Sequence, residues 1–482
     1  MHLTPAPIVL LFLYLIASAY ADDIRNTPSK TVISYKEPKN ASKPLSLKQA
    51  IEQGLRKNQD QQERDFRTAL YNLEWDSAFD KFWMPNISLK MSYGNHLVDR
   101  FKTVDAENGA NNTTNRAPQG YVGLDFGEYT LFNWGKDYLQ YLNDKFRIQR
   151  SKENLKIDRR RLRFAIIEKY FETSMYKKLY KILGDQLRHT SFVYRLAREK
   201  ASLKKIPKRE YHEARSEFLR AQAEYYDMRD TVIEREKQLS ILIGEEHRVP
   251  LRIVEGLKFA IFNMNSQESL DTSLINNPDI LTFKQEKDNA ERSYRIQKKE
   301  NLPLPKISVN LGSYKKMLTN EGSTTSFRTH NDNSNIELIA SIDFTWTILG
   351  EDGLFNSRLT QKSYLNKRIA DLRYKMSKRS VRVKVKAMVS EIRQLERRYE
   401  VSELAITNSK KSFDKMLDGY LDSKVKFIEL RQQIINLVSA YTLYEQNKWE
   451  HLTKKLELCD LLGLEDFPGE NFENLASREV VQ

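Results

Sequence analysis

The sequence predicts a mainly α-helical protein made of two tandem copies of one unit, a long helical hairpin that carries a β-hairpin. Three observations support this fold class. LDFGEYTLFNWGK at 124–136 has a counterpart, IDFTWTILGEDGL at 342–354, in which an Asp and a Gly recur at one common offset. Long polar segments lack proline and nearly lack glycine, as uninterrupted helices do. Neighbouring short segments alternate apolar and polar residues, as strands do.

The duplication extends over most of the chain. Further pairs of residues keep nearly the same spacing: Asn58 and Asn277, Pro85 and Pro305, Gly244 and Gly463. The number of sequence positions that separates Asn58 from Asn277 is called here the repeat offset. Self-similarity at a fixed period indicates one structural unit that occurs twice. The predicted division is repeat 1 at 46–263, repeat 2 at 264–467 and a C-terminal tail at 468–482.

Composition supports long polar helices. Charged residues make up 30% of the 482 residues, with only 17 Gly and 13 Pro, and the mean hydropathy is −0.64. The sole cysteine, Cys459, excludes an intramolecular disulfide and is predicted to be a small packed residue. The net charge of +14 comes from Lys and Arg intermixed with Glu and Asp. This pattern favours solvated helix faces, so nucleic acid is not a predicted partner.

The first residues resemble a secretory signal. An apolar run at 8–17 is followed by Ala-Tyr-Ala at 19–21, which predicts a signal peptide over 1–21 and an N-terminal extension over 22–45. The run is too short to span a bilayer as a helix, and no cysteine follows it, so a lipid anchor is not expected. The mature chain is therefore predicted to be exported.

In repeat 1, Ser46 is the predicted N-cap of a short amphipathic helix. A second helix ends at Pro85, because the residue before a proline is disfavoured in the helical region. Between Lys136 and Ile206 there is no proline, so one helix of roughly 105 Å is expected there. The predicted elements are strands at about 86–103 and 120–133, a polar loop at 105–119, and long helices at about 134–206 and 208–243.

Repeat 2 has the same order of elements. Its second strand alternates most regularly, with Ile336, Leu338 and Ile342 on one face and Glu337 and Asp343 on the other. Such a strand suits lipid outside and water inside. The predicted elements are strands at about 305–318 and 335–349, and long helices at about 354–420 and 424–462.

Four strands with one lipid-compatible face cannot stay open in a membrane, because backbone groups at the sheet edges have no partner in hydrocarbon. Closure therefore requires other copies of the chain. Two copies would give 8 strands with a filled interior, whereas three would give 12 strands with room for a lumen. The polar strand face favours three, so the sequence predicts a homotrimer with a 12-stranded barrel, four strands from each chain.

Several motifs together resemble the TolC-like outer-membrane efflux proteins. They are SLKQAIEQGLRKN at 46–58 with its shorter copy SLDTSLINNP at 269–278, the strand starts PNISL and PKISV, and the strand exits FNWG and EDG. Their order, duplicated behind a signal peptide, resembles this family over nearly the whole mature chain. The resemblance implies a barrel in the outer membrane on an α-helical tube in the periplasm.

The resemblance also implies a function. The protein would be the passive duct of a tripartite efflux or type I secretion system, working with a periplasmic adaptor (membrane fusion) protein and an inner-membrane pump, and contacting outer-membrane lipid. No cofactor is expected. The chain lacks phosphate-binding, zinc-protease and hydrolase motifs, and its seven histidines do not cluster. An enzyme is therefore not predicted, and no metal site is expected.

The family's gate lies at the periplasmic helix tips. GYLDSKVKFIELR at 419–431 resembles its gate motif, and IPKREYHEAR at 206–215 resembles the matching segment of the first half. This implies roles for six residues: Tyr420 as the gating tyrosine, Glu210 as its partner across helices, Lys424 and Lys426 in salt bridges, Glu429 in an acidic ring, and Gln432 where a second acid would stand. The alternative is that Glu210 and Glu429 are ordinary solvated charges.

Trp83, Trp134 and Trp346 fall near predicted strand ends, where aromatic side chains of barrels meet the membrane interface. Packing at the strand-to-helix junction is the alternative for these side chains. The alternative for the whole protein is an exported coiled-coil stalk or adhesin without a pore. The sequence does not identify the exported substrate or the particular pump.

Overall fold

The computed structural model describes residues 44–84, 87–105, 109–245, 251–253, 255–302, 305–320, 327–329, 337–345 and 357–478. The predicted signal peptide and Trp346 lie outside these residues. The described part is mostly helical, as the sequence predicts. Across this part of the chain, no helix combines the length and the apolar composition that crossing a bilayer requires.

The helices of the described residues fall into short and long elements. The short and medium ones are α1 (Leu47–Lys57), α2 (Gln59–Trp83), α5 (Ser266–Asn276) and α6 (Pro278–Glu300), and the long ones are α3 (Lys136–Ser202), α4 (Lys208–Leu242), α7 (Ser357–Leu421) and α8 (Phe427–Leu462). The 67 residues of α3 make a rod of roughly 100 Å. Helices α3 and α4 form one antiparallel hairpin, and α7 and α8 form the other.

The strands of the described residues form one larger sheet and two small pairs. They are β1 (Pro44–Leu45), β2 (Ser88–Asp105), β3 (Gly109–Phe132), β4 (Arg252–Ile253), β5 (Glu255–Leu257), β6 (Lys306–Asn320), β7 (Phe327–Thr329), β8 (Glu337–Thr345) and β9 (Ala476–Arg478). In the larger sheet β2, β3, β6 and β8 pair antiparallel in that order, and β7 also pairs with β6. The small pairs are β1 with β4 and β5 with β9.

The prediction of a polar loop at 105–119 is wrong. Strand β3 begins at Gly109, and its pairing with β2 continues to Asp105 opposite Gly109. Ladder hydrogen bonds join main-chain groups, so the Asn and Thr residues at 111–115 do not interrupt them. The alternation of apolar and polar side chains therefore ends well before the backbone pairing of β2 with β3 does.

Two asparagines connect the helical hairpins to the helices beside them. Asn58 accepts a hydrogen bond from the first turn of α2, and its amide donates to Leu242 O at the end of α4, 2.9 Å away. Asn277 caps α6 in the same way and donates to Leu461 O near the end of α8 at 2.7 Å. Both asparagines are buried. Each therefore supplies partners for two helix ends that would otherwise lack them.

The main apolar core lies where the two hairpins meet the C-terminal segment. It includes Ile166, Tyr170 and Val385, which are fully buried between α3, α7 and α8. The Tyr170 hydroxyl donates to Leu45 O at 3.0 Å, which attaches strand β1 to this core. Arg160 pairs with Asp460 at 3.1 Å across the two hairpins.

Two glycines at the ends of α4 and α8 are expected to tolerate no side chain. Gly244 and Gly463 have positive φ, and a Cβ on Gly244 would lie 2.6 Å from the backbone of Lys57. A Cβ on Gly463 would lie closer still to Asn276 O. Alanine at either position should therefore lower the thermal unfolding midpoint, followed by circular dichroism, because backbone atoms cannot move aside.

Gly469 is the matched control. Its φ is also positive, but a Cβ there would meet nothing within 4 Å. Gly469→Ala should cost only the strain of a left-handed alanine, about 1–2 kcal/mol. Equal losses of stability for Gly469→Ala and Gly244→Ala would contradict this description of the turns.

Candidate functional site

The candidate site lies at the tips of the two helical hairpins. The first tip joins α3 to α4 over 203–207, and the second joins α7 to α8 over 422–426. Each tip has one non-glycine residue in the left-handed region, Lys204 with φ 55° and Ser423 with φ 59°. These two residues are separated by the repeat offset, and each follows the last turn of a long helix. The chain therefore reverses in the same way at both tips.

The two tips pack against each other through an apolar cluster, called here the tip cluster. All four long helices contribute to it: Val193 and Ala197 from α3, Ala214 from α4, Phe413 and Tyr420 from α7, and Phe427, Leu430 and Ile434 from α8. These side chains are buried. Burial of apolar surface is the main source of stability here, so separating the tips would expose a small core.

Tyr420 lies inside the tip cluster. Its side chain is 1% exposed, and its ring meets that of Phe427 edge to face with centroids 6.4 Å apart. Burial, together with the negative charge of Glu210, raises the pKa of Tyr420 to about 12. Its hydroxyl has no hydrogen-bond partner among the described residues, so a gating hydrogen bond of Tyr420 stays a prediction about an assembly. Tyr420 therefore acts in this chain as an aromatic core residue.

Lys200 of α3 binds the end of α7. Its ammonium group donates to Tyr420 O and to Ser423 Oγ, both at 2.9 Å, and lies 4.8 Å from the centre of the Tyr420 ring. The last carbonyls of a helix lack intrahelical donors and carry partial negative charge. A lysine from the first hairpin thus caps the C-terminal end of α7 in the second hairpin. Lys200 was not predicted as a site residue, because nothing near it in the sequence indicates which helix end it meets.

Glu210 of α4 binds the start of α8. Its Oε1 accepts a hydrogen bond from Phe427 N at 3.3 Å. A carboxylate at a helix N-terminus satisfies a free N–H and interacts favourably with the helix dipole. The predicted partnership of Glu210 with Tyr420 is therefore electrostatic, and the hydrogen bond of Glu210 goes to the backbone.

Glu217 is a second link between α4 and α8, and it was also missed. Its buried carboxylate accepts from Arg431 Nε of α8 at 2.8 Å and from Arg220 of its own helix at 2.6 Å. A buried carboxylate with two guanidinium partners is a strong, directional contact. The two hairpins are thus joined at the tips by charge-assisted contacts of Lys200, Glu210 and Glu217 around an apolar cluster.

The other predicted gate residues lie on the outside of the tip. Lys424 pairs with Asp422 of its own turn at 2.9 Å, both largely exposed, so it does not bridge two helices. Lys426 is the N-cap of α8, and Glu429 is in the first turn of that helix. Gln432 donates to Asn436 at 3.0 Å. Lys426, Glu429 and Gln432 are exposed, and a ring of Glu429 carboxylates stays a prediction about an assembly.

The two described tryptophans differ in environment. Trp83, at the end of α2, is 54% exposed and touches Phe82. Trp134 donates from its indole to Pro305 O at 3.0 Å and meets Phe132 with ring centroids 5.0 Å apart. Trp134 therefore packs at the strand-to-helix junction, and placement of either ring at a membrane interface stays a prediction. Searched over the described residues, the chain has no group of three or more metal-ligand side chains.

Solved structures share this arrangement of helices and strands. The outer membrane protein VceC from Vibrio cholerae superposes with a TM-score of 0.70 at 12% identity, covering 86% of this chain and 96% of that one. The CmeC outer membrane channel from Campylobacter jejuni gives 0.70 at 14%, covering 92% of each chain. The MtrE outer membrane channel from Neisseria gonorrhoeae, in its open state, gives 0.68 at 15%, covering 87% and 89%.

The chain therefore has the fold of these outer-membrane channels. No protein-family model matches the sequence, and no curated protein sequence matches it. Because the sequence identity to these structures is only 12–15%, the similarity is a similarity of fold. The sequence-based resemblance is thus confirmed at the level of fold class.

The raised pKa of Tyr420 predicts a change in alkaline stability. Its pKa in the folded protein, about 12, exceeds the ordinary 10. The neutral phenol therefore contributes stability that is complete below pH 10 and is lost as the pH rises toward about 12. Between pH 10 and about 12, the free energy of unfolding should fall less in Tyr420→Phe than in the wild type, by on the order of 2 kcal/mol.

The measurement is the thermal unfolding midpoint of both proteins at neutral pH and at a pH between the two values. Tyr226→Phe is the control, since it removes the same hydroxyl from an exposed tyrosine outside the tip cluster. At neutral pH Tyr420→Phe should be close to wild type, because the hydroxyl it removes has no hydrogen-bond partner in the described part of the chain. The same alkaline loss in Tyr420→Phe and wild type would refute the buried neutral phenol.

Proposed function

We propose that the protein is the outer-membrane channel of a tripartite efflux or type I secretion system. It is a passive duct that exports substrates from the periplasm, or from an inner-membrane pump, to the exterior. The observation that carries this proposal is the fold shared with outer-membrane channels over 86–92% of the chain. The partners would be a periplasmic adaptor protein and an inner-membrane pump, and the chain itself would need no cofactor.

The barrel in this proposal is formed by three copies. In the described sheet, β2 pairs only with β3 and β8 pairs only with β6, so these two strands lie at the edges. An unpaired edge is untenable in hydrocarbon, which pairing β2 of one copy with β8 of the next would resolve. Three copies with four main strands each give a 12-stranded barrel, wide enough for a lumen.

The long helices supply the rest of the duct. Two tandem repeats, at 46–263 and 264–467, would each contribute one hairpin to an α-helical tube in the periplasm. The equivalent hydrogen bonds of Asn58 and Asn277, which are separated by the repeat offset, support such a repeat. The rods of α3 and α7 are both long enough to extend far from the membrane.

The hairpin tips would be the gate. Lys200, Glu210 and Glu217 each bind the opposite hairpin, so opening the tips must break these contacts and expose the tip cluster. Hydrogen bonds to charged groups contribute roughly 1.5–3 kcal/mol each, so the closed form is favoured until an adaptor or pump pulls the hairpins apart. The three Glu429 carboxylates of a trimer would then form a negative ring at the periplasmic aperture.

Conductance of the purified protein in planar lipid bilayers tests the proposal. A channel should give discrete current steps with a preference for cations, because the Glu429 ring attracts them. Glu429→Ala should keep the steps and lose part of the cation preference, measured as the reversal potential across a salt gradient. A protein that inserts but conducts neither as the wild type nor as the Lys200→Ala/Glu217→Ala variant, which loses two of the contacts that close the tip, would instead be a stalk or adhesin.

The control for this measurement is Asp230→Asn. Asp230 is an exposed acid on α4, far along the helix from the tip. Its loss should leave the reversal potential at the wild-type value. A Glu429→Ala variant with unchanged cation selectivity would remove the acidic ring from the proposal, while the current steps would still support the channel.

A further inference from the structure

Strands β2 and β3 continue past the rest of the larger sheet as a two-stranded segment. The pairing of β3 with β6 ends at Gln119 opposite Thr319. Beyond that point β3 pairs only with β2 in the described part of the chain. This segment, formed by 95–105 and 109–118, is called here the ribbon. At 3.4 Å per residue it extends roughly 30 Å beyond the pairing with β6.

Below the ribbon, β2 and β3 have an apolar face. Leu89 lies opposite Leu124, and Met91 lies opposite Val122. Residues directly opposite each other in an antiparallel pair lie on the same face of the sheet, and successive residues alternate between the faces. Leu89 is 61% exposed, so the described chain does not cover this face. In the proposed barrel it would meet lipid, and it is called here the outer face.

A β-bulge interrupts β2 within the ribbon. Val98 has no partner on β3, because Leu97 and Asp99 pair with two adjacent residues of that strand. Such bulges are frequent at the rims of barrels. A tilted barrel strand crosses the hydrocarbon in about 9–11 residues. Counted from Leu89, the bulge therefore lies where β2 would leave the membrane.

The bulge places the three basic residues of the ribbon on one face. Arg116 pairs with Leu97, which shares the outer face with Leu89. Past the bulge, Arg100 and Lys102 pair with residues at even spacings from Arg116 along β3. Even spacing along a strand means the same face, so all three lie on the outer face. Without the extra residue, Arg100 and Lys102 would lie on the opposite face.

The acidic residues of the ribbon lie on the other face. Asp99 and Asp105 pair with Asn115 and Gly109, which are at odd spacings from Arg116 along β3. The ribbon contains no further Lys, Arg, Asp or Glu. Its two signs of charge are therefore separated completely, and the basic residues continue the outer face beyond its apolar part.

We propose that Arg100, Lys102 and Arg116 form a binding site for phosphate groups of anionic lipid in the outer leaflet of the membrane. The headgroup region begins where the hydrocarbon ends, which is the level of the bulge beside these residues. Arginine binds phosphate oxygens through two parallel hydrogen bonds, and lysine adds a compact positive charge. The inference rests on the proposed function, because it requires β2 to cross the outer membrane.

The occupant is lipid because the basic residues follow the apolar residues on one continuous face. A lipid molecule beside the barrel has the same order of groups, an apolar chain and then a charged head. Basic residues next to an anionic bilayer surface are attracted to it, and their contributions accumulate. Three copies of the chain would place three such sites around one barrel.

Lipid binding by the full-length protein tests the site. The probe is diphosphoryl lipid A, added to the purified protein in non-ionic detergent, and native mass spectrometry counts the bound lipid at each concentration. Arg100→Gln/Lys102→Gln/Arg116→Gln should bind this lipid at least about tenfold more weakly, because three positive charges near the phosphates are lost. Monophosphoryl lipid A should bind the wild type more weakly than the diphosphoryl form, and the triple variant should not distinguish the two lipids.

Two variants are matched controls. Thr103→Ala/Thr113→Ala changes the other face of the same ribbon. Arg209→Gln/Arg229→Gln/Lys237→Gln removes three exposed charges from α4. Both should bind diphosphoryl lipid A as the wild type does. Equal weakening by the α4 variant would show a general effect of charge and overturn the site.

Three further results would also overturn the site. One is equal affinity of the ribbon variant and the wild type for diphosphoryl lipid A. Another is equal binding of the two lipids by the wild type, a comparison that does not depend on the folding of any variant. The third is displacement of the lipid by inorganic phosphate at the same concentration, which would assign the basic residues to free phosphate.

Conductance in planar bilayers separates this inference from the proposed channel. The three ribbon substitutions are combined with Lys200→Ala/Glu217→Ala, and the current steps should equal those of the Lys200→Ala/Glu217→Ala protein. A conducting protein whose lipid binding does not depend on the ribbon would overturn the site and leave the channel standing. Lipid binding that depends on the ribbon in a protein that never conducts would support the site and oppose the channel.

Discussion

One constraint underlies the described structure: the residues described in one chain do not cover all of their own surfaces. Strands β2 and β8 are edges of the described sheet, and the faces of α2 and α7 leave large apolar side chains in solvent. Backbone groups at a strand edge and apolar helix faces both favour association. Copies of the chain that share one axis would resolve both problems at once, the edges in lipid and the faces in water.

The hairpin tips, by contrast, are complete within one chain. Lys200 and Glu210 of the first hairpin cap the end of α7 and the start of α8. Because helix ends need such partners, the first hairpin stabilises the turn of the second. In the proposed channel these contacts would favour the closed form of the tip, and an adaptor or pump would shift it toward the open form.

The sequence predicted the features that local chemistry determines. Serine before a helix, proline after one and a long segment without proline located the helix ends closely, because the first two rules act within one turn. Tyr420 was correctly placed at a tip, but its burial was not foreseen. Lys200 and Glu217 were missed because their partners lie on the other hairpin, in the other half of the sequence. The extent of β3 was missed because its pairing depends on backbone groups.

The number of chains in the purified assembly tests this account most directly. Native mass spectrometry of the protein released from detergent gives that number without reference to any contact or activity. The account predicts three chains, each lighter than the 56.7 kDa of the full sequence by its signal peptide, held together without covalent links. A single chain, or a twofold dimer, would show that one or two copies suffice to cover the exposed strand edges and helix faces. Either result would contradict the three-copy barrel on which the channel depends.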